Sequence, residues 1–284
     1  MANLDVTKHG HINLFTTDVQ ASVDLFVNRL GGRLFSRWEA PMPGSANAFI
    51  TVGPVLVELF GSVNEDGVIG QYLEAKGPRW HSIEWRVADT FAARAICIEH
   101  GVRVTEYTPD YFMTHPKDLC GLTLEVTHHH FGNVGLGDER EKGPWDIRRG
   151  SGNDPIDYDG LPEFLVASRT PDEGARRVSE LTGLPIVELS YEELDVSAPA
   201  IKFSDHFVAF VDPETVSAEL TTPAPGVWAL ILPVADVEQT ANTLRERGVS
   251  QIEHVDELSV WLSPGINQGG TIAFRKSQQP NSLK

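Results

Sequence analysis

Residues 11–32, HINLFTTDVQASVDLFVNRLGG, contain the pattern that decides the fold. Apolar and polar side chains alternate over residues 11–16, which is typical of a β-strand. Asp18 is then well placed to cap a helix with apolar residues at helical spacing, and Gly31-Gly32 is a typical helix end. Further alternating segments follow at residues 33–38, 48–52 and 55–60. Together these residues predict one β-α-β-β-β unit.

The same unit recurs along the chain. The second unit is predicted as a strand at 82–87, a helix at 90–100, and strands at 102–106, 111–114 and 122–127. Val87-Ala88-Asp89 returns as Val234-Ala235-Asp236, and Gly101-Val102 returns as Gly248-Val249 at the same offset. This repetition indicates that the second and fourth units are related.

Four βαβββ units in two pairs predict an α+β fold. We expect two domains, over residues 1–135 and 161–284, with helices on their outer faces. Residues 136–160 are rich in Gly, Asp and Pro and have no periodicity, which predicts a linker segment. The second domain begins with a strand at 163–168 and a helix at 172–181.

The composition narrows the classes of partner. The 284 residues are 41% hydrophobic and 22% charged, enough for two ordinary domains, and the net charge of −17 disfavours nucleic acid and anionic membranes. The chain has no 18-residue apolar run, and its N-terminus has no signal-peptide pattern. Cys97 and Cys120 predict no disulfide framework. We therefore expect a cytoplasmic protein whose partner is a small-molecule substrate.

Two predicted strands each carry one glutamate among apolar residues: Glu58 in VLVELF and Glu125 in LTLEVT. An ionised carboxylate in an apolar setting is costly unless a metal ion or a hydrogen-bond network compensates it. The alternative is that both glutamates lie on the wet face of an antiparallel sheet. Their equivalent positions in two units favour a role in chemistry.

Several short motifs carry a family resemblance. They are His11 seven residues before Asp18, Leu30-Gly31, Val57-Glu58-Leu59, Trp85-Arg86-Val87, and His115-Pro116-Lys117-Asp118 leading into Leu124-Glu125-Val126. With these motifs the chain resembles the vicinal oxygen chelate superfamily, which includes glyoxalases, bleomycin-resistance proteins and extradiol dioxygenases. GPRWHSIEWRVAD and FMTHPKDLCGLTLEV look most similar to methylmalonyl-CoA epimerase-like members. The resemblance is good over the N-terminal half and weak over the C-terminal half.

The resemblance implies that each pair of units forms a half-open barrel, and that a divalent metal ion lies inside the N-terminal barrel. The first and last strands of each unit would supply the ligands, and the corresponding residues are His11, Glu58, His81 and Glu125. Glu125 and Glu58 would also be the catalytic residues that move a proton. Such a donor set accepts zinc, nickel, cobalt, manganese or iron.

The fifth strand departs from the family pattern. Alternation places Ile83 and Trp85 on the packed face, so that Ser82 and Glu84 face the cleft and His81 points away. Three outcomes are open: a bulge turns His81 inward, Glu84 or water completes the metal shell, or the metal site is weakened. Residues 47–49 also have no carboxylate where the epimerases have an acidic residue, which disfavours a plain methylmalonyl-CoA epimerase.

The C-terminal half has no matching ligand set. Its equivalent positions fall at Glu163 or Leu165, Ala229 and Ala273, and alanine cannot bind a metal. We therefore expect a degenerate domain. The tract at 128–130 is a separate candidate, in which His129 shares a face with Glu125.

Three functions are compatible with this pattern. The first is a metal-dependent isomerase, epimerase or lyase that acts by proton transfer on a small substrate with two adjacent oxygens, such as a 2-oxo or 2-hydroxy carbonyl compound or a thioester. The second is a non-haem iron ring-cleaving dioxygenase. The third is a metal-free protein that binds small molecules, as resistance proteins do. A homodimer would suit each of them.

Overall fold

The computed structural model describes residues 2–39, 44–63, 66–128, 155–216, 224–250, 252–262, 264–265 and 269–277. The predicted linker at 136–160 lies outside this description up to residue 154. Its described end contacts both halves: the Tyr158 hydroxyl donates to the backbone oxygen of Leu30 at 2.8 Å, and its backbone pairs with Val234. Within the described ranges, no helix has the length and apolarity needed to cross a membrane.

The first sheet has eight strands in the order β2-β3-β4-β1-β5-β8-β7-β6. The strands are β1 Lys8–Phe15, β2 Arg33–Glu39, β3 Ser45–Val52, β4 Val55–Ser62, β5 Arg79–Arg86, β6 Val104–Tyr107, β7 Tyr111–Thr114 and β8 Leu124–Thr127. The first strand of each unit pairs in parallel with the last strand of that unit, β1 with β4 and β5 with β8. The two units meet where β1 and β5 pair in antiparallel fashion.

The second sheet repeats this order as β10-β11-β12-β9-β13-β16-β15-β14. Its strands are β9 Glu163–Ala167, β10 Ile186–Tyr191, β11 Val196–Lys202, β12 Phe207–Val211, β13 Gly226–Val234, β14 Ile252–Val255, β15 Ser259–Leu262 and β16 Thr271–Lys276. Two open sheets with the same order confirm the predicted α+β class of paired βαβββ units. The exact domain limits stay a prediction.

The helices are α1 Val19–Asp24, α2 Val68–Lys76, α3 Thr90–Glu99, α4 Pro171–Thr182 and α5 Val237–Glu246. The Asp18 side chain accepts a hydrogen bond from the backbone N–H of Ala21, which confirms the predicted cap. Asp89 and Asp236 cap α3 and α5 in the same way. The recurring Val-Ala-Asp motif is therefore the junction between a strand and its capped helix.

Two helical features differ from the sequence prediction. The first helix was expected to continue regularly to Leu30, but α1 ends at Asp24 and a π-helical turn follows over Leu25–Arg29. The helix α2 was not predicted, because its short sequence has no clear apolar period. On α2, Tyr72 lies with ring centroids 5.0 Å from Phe15 and 5.2 Å from His81. Helix α2 therefore covers the end of β1 and β5.

One apolar core joins the two sheets. Ile83 and Trp85 from the first sheet and Phe164 and Leu230 from the second belong to the same fully buried cluster. The predicted packed face of β5 is thereby confirmed. Because strand side chains alternate, the opposite face of each sheet lines the interior of its own half-open barrel.

A hydrogen-bonded cluster of His9, Asp205 and His206 also lies between the sheets. Asp205 Oδ2 is 3.0 Å from His9 Nδ1 and accepts from the backbone N–H of His9 at 3.1 Å, while Asp205 Oδ1 is 2.7 Å from His206 Nδ1. The indole N–H of Trp85 donates to His206 Nε2 at 3.2 Å, so His206 carries its hydrogen on Nδ1 and is neutral. The cluster ties β1 to the turn that precedes β12.

We expect His206→Asn to reduce the pH dependence of stability. Burial lowers the pKa of His206 to about 4, from an ordinary value of 6.5. The unfolded chain therefore takes up a proton that the folded protein does not, and the free energy of unfolding falls as the pH drops through this interval. The uptake of one proton on unfolding changes the free energy of unfolding by about 1.4 kcal/mol per pH unit.

Urea unfolding at about pH 7 and about pH 4.5 measures the effect. The asparagine amide can still donate to Asp205 but cannot take up a proton. The free energy of unfolding of His206→Asn should therefore fall less at low pH than that of the wild type. His100→Asn, at a partly exposed histidine, is the control. Equal falls in the wild type and in His206→Asn would contradict this role.

Candidate metal centre

A β-bulge in β1 sets the direction of two neighbouring histidines. In the pairing of β1 with β5, His9 lies opposite Trp85 but Ile12 lies opposite Ile83, so β1 has one extra residue between them. His9 consequently points into the core between the sheets, where its ring is 5.7 Å from that of Phe164. His11 points to the other side, into the half-open barrel.

Three carboxylates surround the imidazole of His11. His11 Nε2 lies 3.0 Å from Glu58 Oε2 and 3.5 Å from Glu125 Oε2. On the other side of the ring, His11 Nδ1 lies 2.5 Å from Glu84 Oε2. The side chains of His11 and Glu84 are fully buried, and that of Glu125 is 13% exposed. The structure therefore brings together His11, Glu58 and Glu125, three of the four predicted ligands.

Strand register explains this convergence. Asn13 on β1 lies opposite Glu58 of β4 on one side and Ser82 of β5 on the other, and Glu84 of β5 lies opposite Glu125 of β8. The four central strands of the sheet each direct one ionisable side chain to the same face. The predicted cleft-facing position of Glu84 is confirmed by its contact with His11.

His81 lies outside this cluster, although β5 has a bulge at this residue. Asn13 pairs with Ser82 and Leu14 pairs with Trp80, so His81 is the extra residue. Its ring stacks on Phe15 with centroids 4.3 Å apart, and its Nδ1 lies 3.0 Å from Ser82 Oγ. Burial lowers the pKa of His81 to about 4. The role of His81 as a metal ligand stays a prediction.

Two asparagines orient the carboxylates. Asn47 Nδ2 donates to Glu58 Oε1 at 2.7 Å, and Asn13 Nδ2 donates to Glu125 Oε2 at 3.1 Å and to Ser82 Oγ at 2.9 Å. In the described part of the chain, the amide oxygens of both asparagines are buried without a hydrogen-bond partner. Water molecules bound to a metal ion could supply the missing donors. The sequence prediction missed Asn13, although it shares a strand face with His11.

The electrostatics of the cluster are unbalanced. Burial alone would lower the pKa of His11, but the charges of Glu84 and then Glu58 raise it well above its usual value. Burial raises the pKa of Glu58 to about 7. Burial also acts to raise the pKa of Glu84, but His11 and Arg86 outweigh it and lower the pKa. Negative charge thus exceeds positive charge in a buried place, which suits a cation.

The donor set fits a divalent metal ion. An imidazole nitrogen and carboxylate oxygens suit hard and borderline divalent ions, and the two carboxylates near His11 Nε2 come from the last strands of the two units. The residues that could hold the ion are therefore His11, Glu58 and Glu125.

The histidine tract at 128–130 adds no described ligand to this set. His128 contacts the Thr90 hydroxyl, and residues 129 and 130 lie outside the described residues.

The equivalent place in the second barrel is different. Ala229 and Ala273 lie in an apolar cluster with Leu165. Glu163 accepts a hydrogen bond from the Tyr191 hydroxyl at 2.7 Å and lies 3.6 Å from the guanidinium of Arg275. The expectation that this domain has no metal-ligand set stays a prediction.

One family model matches part of this sequence, including the strands that carry the site. Residues 8–126 match the family model described as the Glyoxalase/Bleomycin resistance protein/Dioxygenase superfamily. The sequence has no match among curated proteins.

Some solved structures resemble nearly the whole chain, and others resemble less than half of it. A triple mutant of 4-hydroxymandelate synthase from Streptomyces coelicolor is 12% identical, covers 97% of this chain and 94% of its own, and has a TM-score of 0.68. Methylmalonyl-CoA epimerase from Mycobacterium tuberculosis is 24% identical, covers 45% of this chain and 91% of its own, and has a TM-score of 0.39. At 12% identity the first match describes the fold and not the activity. The resemblance to the vicinal oxygen chelate proteins is thus confirmed over residues 8–126, which match the model of the glyoxalase/bleomycin resistance protein/dioxygenase superfamily.

Proposed function

We propose that this protein is a metal-dependent isomerase, epimerase or lyase that moves a proton on a small substrate. The substrate would offer two adjacent oxygens, as a 2-oxo or 2-hydroxy carbonyl compound or a thioester does. The observation that carries the proposal is the position of His11 Nε2, 3.0 Å from Glu58 and 3.5 Å from Glu125 inside the first barrel.

His11, Glu58 and Glu125 would hold the metal ion, with His81 as the candidate fourth ligand. A divalent ion at this place would supply Lewis-acid polarisation of the two substrate oxygens. Three protein ligands leave coordination positions open for those oxygens. The ion could be zinc, nickel, cobalt, manganese or iron, since the donor set does not discriminate among them.

Glu125 is the better placed of the two catalytic candidates to exchange a proton with substrate. Both oxygens of Glu58 are engaged, Oε1 with Asn47 and Oε2 with His11. Glu125 is more exposed, and Asn13 contacts only its Oε2, which leaves Oε1 to take a proton from a substrate carbon and return it. Asn13 holds the carboxylate in place during that exchange.

Buried apolar side chains would limit the access of water to one side of the site. The ring of Phe49 meets that of His11 edge to face, with centroids 5.6 Å apart. Met113 lies opposite Glu125 in the pairing of β7 with β8. Carbanion-like states are better protected from unwanted protonation where water is excluded.

The two alternative functions have less support. One histidine with two carboxylates differs from the set of two histidines and one carboxylate that is typical of non-haem iron oxygenases. A metal-free binding protein would leave the carboxylates of Glu58 and Glu125 beside His11 without a metal ion to balance their charge. Oxygen uptake with catechols tests the first alternative, and thermal stabilisation by small cationic ligands without metal tests the second.

Metal binding should depend on the proposed ligands. We expect the protein, stripped with chelator, to bind cobalt, zinc, nickel or manganese at one site in calorimetry. His11→Ala and Glu58→Gln should weaken binding by more than the roughly 10- to 100-fold typical of the outer partners of ligands. Glu163→Gln, a buried carboxylate in the second barrel, is the matched control and should bind normally. A wild-type protein that binds none of these ions would remove the proposal.

Proton transfer should depend on Glu125. In D₂O, the metal-loaded protein should exchange the α-hydrogen of one member of a panel of 2-oxo acids, 2-hydroxy acids and acyl thioesters, followed by proton NMR. Glu125→Gln should slow this exchange by about 10²- to 10⁴-fold, as expected for loss of a general base. Exchange that survives in Glu125→Gln but not in Glu58→Gln would assign the proton to Glu58 instead.

His81→Ala decides whether His81 is the fourth ligand. Because its ring is stacked on Phe15 and bonded to Ser82, we expect the variant to keep its metal affinity within about threefold. Calorimetry with the same ion measures this, and His11→Ala serves as the positive control. A loss as large as that of His11→Ala would show that His81 turns toward the ion on binding.

A further inference from the structure

We infer that Glu84 is the positioning residue that fixes the ring of His11 for metal binding, an inference that rests on the proposed function. The carboxylate and the imidazole are fully buried, and Glu84 Oε2 lies 2.5 Å from His11 Nδ1. The two side chains thus form a close ion-pair contact in a place from which water is excluded. It is the shortest of the three contacts between His11 and a carboxylate.

The contact determines which ring nitrogen can bind an ion. A carboxylate is an acceptor only, so the hydrogen of the imidazole must lie on Nδ1 where Glu84 meets it. In the neutral ring, which is the form that binds metals, the lone pair of Nε2 then faces Glu58 and Glu125. A carboxylate behind a ligating histidine sets its tautomer and orientation and makes it a stronger donor.

The position of Glu84 is itself fixed from two sides. Arg86 Nε donates to Glu84 Oε1 at 3.3 Å. On the opposite strand, a Cβ placed on Gly10 would lie only 1.9 Å from Glu84 Oε1, so the carboxylate occupies space that only glycine leaves open. The bulge that directs His11 inward therefore also makes room for its partner.

The geometry separates this role from direct ligation by Glu84. The two nitrogens of an imidazole point to different sides of the ring, so one ion cannot contact both. An ion on the Nε2 side has Glu58 and Glu125 near it, whereas Glu84 lies on the Nδ1 side. A competing arrangement would place the ion among His11, Glu84 and Glu125, whose ligand atoms also lie within 4.8 Å of one another.

The test compares Glu84→Gln with Glu58→Gln in the cobalt-loaded protein. We expect Glu84→Gln to weaken cobalt binding about 10- to 100-fold while the positions and intensities of the visible absorption bands stay those of the wild type. Glu58→Gln should change the bands, because it alters the atoms bound to cobalt. Changed bands in Glu84→Gln and unchanged bands in Glu58→Gln would overturn the inference and favour the competing arrangement.

A second variant, Gly10→Ala, tests whether the effect of Glu84→Gln comes only from misfolding. Gly10→Ala removes no polar group but displaces the Glu84 carboxylate, so it should reproduce the loss of cobalt affinity, and its effect should largely disappear in a Glu84→Gln background. Glu163→Gln, which changes a buried carboxylate in the second barrel, should leave cobalt affinity unchanged. Additive losses from Gly10→Ala and Glu84→Gln would count against a shared mechanism.

The result also separates this inference from the proposed function. If the wild-type protein binds no metal, the proposed function fails by itself. Crystal structures of the wild type and Glu84→Ala then still test the positioning role. The His11 ring should keep one orientation in the wild type and turn or become disordered in the variant, and an unchanged ring would overturn the inference.

Discussion

The bulge at Gly10-His11 in β1 is the constraint on which both the core and the site depend. In a regular strand, His9 and His11 would point to the same face, because side chains two residues apart do so. The extra residue reverses this relation. His9 can then bond Asp205 between the two sheets, while His11 enters the barrel. One local irregularity thus serves the attachment of the two halves and the chemistry of the first.

The two barrels differ in how the charge of a buried carboxylate is balanced. Each places a polar residue on its first strand seven positions before the helix cap, His11 in the first barrel and Glu163 in the second. In the second barrel, Arg275 lies within 3.6 Å of Glu163 and 3.1 Å of Glu193, and its guanidinium lies over the ring of Tyr191. In the second barrel the balancing cation is therefore a side chain of the protein, Arg275. Ala273 then stands where the first barrel has Glu125, and Ala229 stands where it has Ser82.

Much of this arrangement could be predicted from the sequence, because alternation and helix caps are local signals. The order of elements, the Asp18 cap, and the opposite faces of Trp85 and Glu84 followed from them. The bulges could not be predicted, since a single extra residue in a strand leaves no clear trace in the sequence pattern. For the same reason, alternation alone left the direction of His81 open; in the structure the bulge puts its ring against Phe15, next to Ser82. The pairing of Glu84 with His11 depends on the register of two strands, which no local pattern specifies.

The balance of charge in the first barrel gives an independent reason to expect a divalent cation. Glu58, Glu84 and Glu125 bring three negative charges, and Arg86 brings one positive charge. Without an added cation, a negative charge remains even when His11 is protonated, and the pKa values of His11 and Glu58 are both raised. A divalent ion would make the whole group neutral with His11 in the uncharged form that binds metals. The neutral sum includes Glu84 and Arg86, so the residues behind the ligands are part of the same electrostatic unit as the ligands themselves.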